Sequence, residues 1–408
     1  MAPVRIRSIA AGGDGVGSLA DGRAVFVPRS APGDLLELRD VVMAKRFARA
    51  RVARVLESSP DRTEPFCLHY TRDDCGGCQL QHLTAPAQRS ARRDIVAESL
   101  RRIGRSVVEV SELSPAPTDR AYRTKISLSA KGRRIGYHRV GRPDEVFDLD
   151  RCEIARPELN GLWKAVNASR RHLPASAAKI ILRVDREGGL HVLIGDSGEP
   201  AWIGAKAFGA ALAGLGVTAV VWWAPVDGVA RAVYGSRSAY PATVFEQIHP
   251  AVGDAVRAHA VAELGPLGGR HLWDLYAGIG ETTALLRAAG ATVESVEVDR
   301  RAVELAGQWA GVDAGVERHA GRVEEFLERL RPADGVILNP PRTGLGEAAT
   351  LRLSRLPSRR LVYISCDPAT LARDIARLAD RYAVAGVRAF ELFPQTAHVE
   401  TVARLEPR

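Results

Sequence analysis

Short apolar runs separated by turn signals at Gly12-Gly13, Gly15, Gly17, Asp21-Gly22 and Pro32-Gly33 fill the first 58 or so residues. This pattern predicts strands near 4–9, 23–28, 35–42 and 49–56, folded as a small β-barrel. A cysteine-bearing loop follows, then an Arg-rich helix expected at about 86–103. From about 111 to 245 the pattern is mixed, with strand-like runs at 179–184, 191–194 and 217–223. Beyond Phe245, short apolar strands alternate with helices of about ten residues, which is the signature of a doubly wound parallel sheet. The expected architecture is therefore α/β, with domains at 1–58 (barrel), 59–245 (central α+β domain) and 246–408 (Rossmann-like sheet).

Composition narrows the class. The chain has 408 residues, 46% hydrophobic and 26% charged, as in ordinary globular proteins, and is long enough for two or three cores. No apolar run approaches the roughly 20 residues of a membrane span, and no signal-peptide pattern opens the chain. The expectation is a cytoplasmic protein with no membrane partner and no evident obligate protein partner. A net charge of +9 favours a polyanion.

That charge is not evenly spread. Arg120–Arg142 holds eight basic residues (Arg120, Arg123, Lys125, Lys131, Arg133, Arg134, Arg139, Arg142) and no Asp or Glu, with Tyr122, Tyr137 and His138 interleaved. Cations for phosphates and rings for splayed bases are what single-stranded RNA recognition uses, against the plainer reading of a solvated face. In the barrel, Arg39, Lys45, Arg46, Arg49, Arg51 and Arg54 allow the same two readings.

Of five cysteines, Cys67, Cys75 and Cys78 form C-x7-C-x2-C, and Cys152 follows downstream. Four thiolates in one domain can hold zinc or an iron–sulfur cluster, and the spacing does not choose between them. The fifth, Cys366, closes a strand near 360–364 within Ser365-Cys366-Asp367-Pro368, next to a helix N-terminus whose partial positive charge favours a thiolate.

Cofactor chemistry points to the start of the same sheet. Asp274 ends a strand, Tyr276-Ala277-Gly278-Ile279-Gly280-Glu281 turns into a helix, and the next strand closes with Glu297 and Asp299, placed to bond ribose hydroxyls. G-x-G without a third glycine disfavours a dinucleotide and fits S-adenosylmethionine better. A further strand runs into Asn339-Pro340-Pro341-Arg342, where two prolines fix the turn. Near the C-terminus, Phe393-Pro394 leads to His398-Val399-Glu400, where a two-residue spacing predicts that His398 and Glu400 share a strand face, with Glu400 a candidate base.

These segments together resemble the S-adenosylmethionine-dependent RNA 5-methyluridine methyltransferases of the TRAM-domain, iron–sulfur class. The specific pieces are Cys75-Gly76-Gly77-Cys78-Gln79, Tyr122-Arg123-Thr124-Lys125, Ser365-Cys366-Asp367-Pro368 with Thr370 and Arg373-Asp374, and Phe393-Pro394 with His398-Val399-Glu400. The resemblance implies that Cys67, Cys75, Cys78 and Cys152 ligate a [4Fe-4S] cluster, that Cys366 is the nucleophile, and that Glu400 is the general base. It places Gln247, Tyr276, Glu297 and Asn339 at cofactor or target-base positions beside Gly278, with ribosomal or transfer RNA as substrate. The chain departs from the family pattern at Asn339 (usually Asp), His249 (usually Asn), Glu281 (usually Asn) and in a longer first cysteine spacing. Asn-Pro-Pro also suggests RNA base N-methylation as an alternative, and a non-catalytic RNA-binding relative is a second.

Overall fold

A computed structural model describes residues 2–197, 201–225, 229–235, 244–309, 315–355 and 358–408. They fall into two units, one made of 1–62, 83–117 and 251–408, the other of 63–82 and 118–250.

In the first unit the N-terminal strands pair in the order Val4–Arg5, Leu35–Met43, Phe47–Glu57, Ala24–Val27, Gly15–Ser18, Ser8–Ile9. Val4–Arg5 and Ser8–Ile9 are successive pieces of one stretch, so that stretch pairs at both ends of the ladder and closes it. Val4, Ile6, Val25, Val27 and Leu36 fill the interior. The strand at Gly15–Ser18 replaces what the sequence suggests is turn. Its glycines are there for close packing, because a Cβ on Gly15 would sit 2.0 Å from Ser30 Oγ and one on Gly17 2.3 Å from Val4 Cγ1. The buried Asp34 carboxylate ties the exit of this sheet, accepting from Ala31 N at 2.6 Å, Ser59 N at 3.0 Å and Arg62 Nη2 at 2.6 Å.

The large sheet of the first unit runs Val316–Ala320, Thr292–Glu297, His271–Leu275, Gly335–Leu338, Arg360–Ser365, Glu400–Pro407, Tyr382–Phe390. The first five strands are parallel, and Glu400–Pro407 is antiparallel to both of its neighbours. Strand order reverses beside His271–Leu275, which creates the crevice at the carboxyl edge where open α/β sheets take ligands. Apolar layers cover both faces.

The sequence groups the Arg-rich helix with the central domain, but helix Ala85–Arg102 belongs to the first unit. Its buried Val96 and Leu100 join the layer formed by Leu371, Ala372, Ile375 and Leu378 of helix Pro368–Leu378. Apolar burial against that neighbour overrides proximity along the chain.

The second unit is built on a sheet ordered Arg231–Tyr234, Val220–Pro225, Leu190–Ser197, Lys179–Val184, Lys125–Lys131, Arg134–Gly136. Ile126, Leu128, Ile180, Leu182 and Trp223 form its core with Leu159 and Trp163 of helix Pro157–Ala168. Among the described residues, no helix is long and apolar enough to cross a membrane.

Candidate functional site

Sheet register alone brings Cys366 and Glu400 together. Strands Arg360–Ser365 and Glu400–Pro407 pair Ile364 with Val402 and Ser365 with Thr401, so the next step of the ladder sets Cys366 opposite Glu400. Cys366 is half-buried. The following helix is fixed by Asp367, whose Oδ1 accepts from Thr370 N at 2.9 Å, while Ser365 Oγ accepts from Asp367 N at 3.1 Å. Burial and the facing Glu400 carboxylate push the Cys366 pKa up, and only Arg342 pulls notably the other way.

Glu400 is a buried group, not a solvated surface carboxylate. It is 1% exposed, its Oε2 has no hydrogen-bond partner among the described residues, and burial raises its pKa to about 8 against an opposing pull from Arg342. His398 does not share its face. It precedes the strand and points outward against the Phe393 ring, 5.8 Å between centroids, whereas Glu400 is the first strand residue and points inward. Alternation applies only where the backbone is already extended in a ladder.

Nothing in the sequence marks Arg342 as a site residue except its position. Its signal was its place directly after Asn339-Pro340-Pro341 at a parallel strand end. The loop that carries it is laced to the helix after Cys366: Thr370 Oγ1 donates to Arg342 O at 3.1 Å, Arg373 Nη2 to Thr343 O at 2.8 Å, and Leu345 N donates to the buried Asp374 carboxylate at 2.8 Å. Asn339 is half-buried, with its amide N–H donating to Leu275 O at 3.2 Å.

At the crevice, Tyr276, Gly278 and Gly280 all have positive φ, 62°, 56° and 82°, turning strand His271–Leu275 sharply into helix Glu281–Ala288. A Cβ on Gly278 would meet nothing within 4 Å, so the turn faces open space. Glu297 holds the turn, accepting from Gly278 N at 2.8 Å through Oε2 and from Asp299 N at 2.8 Å through Oε1. Asp274 is buried and accepts from Thr283 Oγ1 at 2.6 Å, and its pKa is raised by burial to about 7. The departure at Glu281 has a local compensation in buried Arg257, at 2.9 Å. Gln247 lies buried in the second unit, as does His249, whose ring stacks on Tyr122 with centroids 4.9 Å apart.

The second unit gathers the other four cysteines. Cys67, Cys75, Cys78 and Cys152 are all free, buried and line one cavity with Tyr70, Gln81, Arg123 and Tyr137. Backbone bonds hold the loop: Cys75 N donates to His69 O at 2.9 Å and Gly76 N to His138 O at 2.9 Å. Asn160 clasps Cys152, accepting its N–H at 2.9 Å and donating to its carbonyl at 3.0 Å. A Cβ on Gly76 would press on His138 O at 3.0 Å, which explains a glycine there. Burial raises the Cys78 and Cys152 thiols, with neighbouring thiols adding to the effect at Cys78. Arg123 faces them, its buried Nε without a hydrogen-bond partner among the described residues. Four buried thiols lining one cavity beside an arginine are the donor set of a thiolate-ligated metal centre, although no three of the sulfurs lie within 4.8 Å of one another.

The Arg123 guanidinium thus faces the thiols, whereas Arg120, Lys131, Arg133 and Arg134 of the basic run are exposed. Arg139 and Arg142 pair with Asp73, Asp74 and Glu145, Lys131 approaches Asp144, and Arg120 lies 3.9 Å over the Phe66 ring. Tyr122 is buried, and the Tyr137 hydroxyl lies 4.0 Å from Cys152 Sγ. Acids from flanking segments thus offset part of this acid-free stretch, at Lys131, Arg139 and Arg142.

Comparison with known proteins adds to this geometry. Residues 316–408 match the family model described as tRNA (Uracil-5-)-methyltransferase. An uncharacterized RNA methyltransferase of Thermosynechococcus vestitus is 31% identical, covering 98% of this chain and 97% of that protein. One from Streptomyces avermitilis is 30% identical, covering 99% and 98%. The crystal structure of Pyrococcus abyssi tRNA (uracil-54, C5)-methyltransferase with S-adenosyl-L-homocysteine has a similar fold, with a TM-score of 0.71 at 23% identity over 99% of this chain and 100% of that one.

Proposed function

This chain belongs to the family of S-adenosylmethionine-dependent RNA methyltransferases, and from that premise we propose that it methylates C5 of a uridine in ribosomal or transfer RNA through a covalent adduct on Cys366. The observation that carries the reading is the register that sets a half-buried thiol opposite a buried carboxylate with an unpartnered oxygen.

Uracil C5 is a weak nucleophile. The Cys366 thiolate adds to C6 and forms the C6–S bond, and the C5=C6 electron pair moves out as an enolate. S-adenosylmethionine, when bound, supplies the electrophilic methyl that C5 then acquires. Glu400 as carboxylate removes the C5 proton, the C5=C6 bond re-forms and the C6–S bond breaks, returning the thiolate. Arg342 is the cation that favours both ionised groups, and it opposes the burial that otherwise keeps them neutral. A carboxyl with a pKa near 8 is a strong enough base for a C5 proton once ionised, so turnover rises with pH toward and through that value.

The open turn at Gly278, the fixed Glu297 carboxylate and the strained Tyr276 suit the ribose and methionine portions of the cofactor, with Asn339 at the uracil edge. Cys67, Cys75, Cys78 and Cys152 would hold a [4Fe-4S] cluster, which fixes the loops around it. The N-terminal ladder is read as a TRAM-type RNA-binding barrel. Its hairpin tip exposes Val42, Met43 and Phe47 beside Lys45 and Arg46, an apolar and basic surface suited to stacked bases and phosphates.

Base N-methylation at Asn339-Pro340-Pro341 gives neither Cys366 nor Glu400 a role. RNA containing 5-fluorouridine tests the choice, because a C5 fluorine cannot leave as a proton and the adduct stays covalent. Capture in the wild type and none in Cys366→Ala supports C5 chemistry, and absence of capture in the wild type refutes it. Mass mapping of labelled product then identifies the methylated atom.

A further inference from the structure

Helix Ala85–Arg102 carries an arginine where none is expected. Arg92 is 0% exposed, one of the largest fully buried side chains of the protein, on a helix that reads as solvated and Arg-rich. A buried guanidinium persists only when its donors are met. Nη1 bonds Glu391 Oε1 at 2.8 Å, Nε bonds Thr396 O at 2.8 Å, and Nη2 bonds Gln88 Oε1 at 3.0 Å. Gln88 extends the grip, since its Oε1 also accepts from Gln395 N at 3.1 Å and its Nε2 donates to Gln395 Oε1 at 2.9 Å and to Leu83 O at 3.0 Å. Glu391 is satisfied on its other oxygen by Ala116 N at 3.1 Å.

Five of these seven bonds bear on a single segment. Phe390 and Glu400 are paired across the last hairpin, and the residues between them leave the ladder entirely. The segment includes Gln395 at φ 69°, a left-handed conformation that a glutamine holds only when its surroundings impose it. Its local bonds, such as Thr396 Oγ1 to Phe393 O at 2.8 Å, close small turns without attaching the loop to anything else. Gln88 and Arg92 hold it by side chain at both ends: at one through Glu391, which Ser114 O and Ala116 N also hold and which lies beside the residue paired with Glu400, and at the other through Gln395 and Thr396, five and four residues before Glu400.

We infer that Gln88 and Arg92 are positioning residues for proton abstraction: the helix fixes the loop that presents the Glu400 carboxylate, so that they govern release of the methylated uridine rather than its capture. The inference rests on the C5 mechanism above, in which nucleophile and base lie on different strands. Cys366 continues strand Arg360–Ser365, whose pairs with 401–405 and with Gly335–Leu338 lie outside this loop, so the backbone that presents the thiol for addition at C6 is held without it.

The consequence is a specific kinetic defect. With Glu400 misaligned, attack and methyl transfer occur, but the C5 proton stays and the C6–S bond persists, so methylated RNA accumulates covalently attached to the protein. Gln88→Ala keeps the Arg92–Glu391 ion pair, and Arg92→Lys keeps one cation for Glu391 while losing the fork that reaches Thr396 and Gln88; both preserve the buried charge balance. Unmodified ribosomal and transfer RNA transcripts with ordinary uridine serve as substrate, and Glu400→Gln is the reference for blocked release. In both variants, turnover is expected to fall about 10- to 100-fold, with a denaturation-resistant RNA–protein adduct accumulating, as is expected of Glu400→Gln. The KM for S-adenosylmethionine and the rate of 5-fluorouridine RNA capture should stay within about twofold of wild type. Wild-type turnover in both variants, or turnover and 5-fluorouridine capture falling in parallel with no adduct on ordinary uridine, overturns the positioning role. Failure of the wild type to capture 5-fluorouridine RNA instead overturns the C5 mechanism, and the inference with it.

Discussion

Glu400→Gln should make the protein more stable, by an amount that grows with pH. The carboxyl is buried, and its pKa stands near 8 in the folded protein against 4.5 as a free side chain. Below pH 4.5 it is neutral folded and unfolded, and the substitution changes little. Between 4.5 and 8 the unfolded chain gives up the proton while the folded protein retains it. The unfolded state then binds fewer protons, so wild-type stability falls as pH rises. Each unit is about 1.4 kcal/mol, so the deficit is about 3 kcal/mol at pH 7 and levels off near 5 kcal/mol once the folded carboxyl ionises above pH 8. Gln has nearly the same shape and does not titrate, so this deficit disappears in the variant. Other raised groups such as Asp274 are common to both proteins and cancel in the comparison. Urea unfolding of both proteins at pH 5, 7 and 8.5, analysed as midpoint times slope, reads the difference. A stability gap independent of pH, or a variant less stable than wild type at pH 8.5, would refute the burial argument and with it the view of Glu400 as a base held in waiting.

Asp34→Ala leaves the Arg62 guanidinium and two backbone N–H groups without their acceptor, and should destabilise the N-terminal ladder by about 3 kcal/mol, seen as early proteolysis or faster hydrogen exchange within residues 1–62. Gly280→Ala forces φ 82° on a residue with a Cβ that would lie 3.3 Å from Ala306 Cβ, which costs about 1–2 kcal/mol and should weaken S-adenosylhomocysteine binding in calorimetry. Cys75→Ser should lower metal content and folded yield together, and iron and sulfide analysis of anaerobically purified protein should give iron with sulfide; zinc without sulfide would replace the cluster reading by a zinc site.

Much of the site is legible in the sequence because its residues sit at strand ends, where short motifs mark local geometry. Gly278 and Gly280 announce a turn at which backbone takes positive φ, and Cys366 closes an apolar run just before a proline-started helix. Cys67, Cys75 and Cys78 lie close enough along the chain that a shared cavity follows from spacing, and only Cys152 has to be brought in by folding. Electrostatics is less legible along the chain. The run Arg120–Arg142 looks like a free basic stripe because Asp73, Asp74, Asp144 and Glu145, which pair with it, lie outside it. Charge along a chain says nothing of the charges that folding places opposite.

By itself, then, the sequence determined what depends on neighbours along the chain: which runs become strands, where the turns fall, and which thiols and carboxylates are available for chemistry. Tertiary structure alone decided which of those groups face each other and in what state of charge. Antiparallel pairing with Ser365 set against Thr401 is what brings Cys366 to Glu400, and no local pattern encodes that register. Burial raised Glu400 toward 8, left Arg92 inside the protein and turned the Arg123 Nε away from solvent, each at a place where a solvated arginine would be expected of the sequence. Desolvation and pairing are properties of three-dimensional surroundings, and it is they that distinguish a base from a surface acid and a positioning arginine from a phosphate contact.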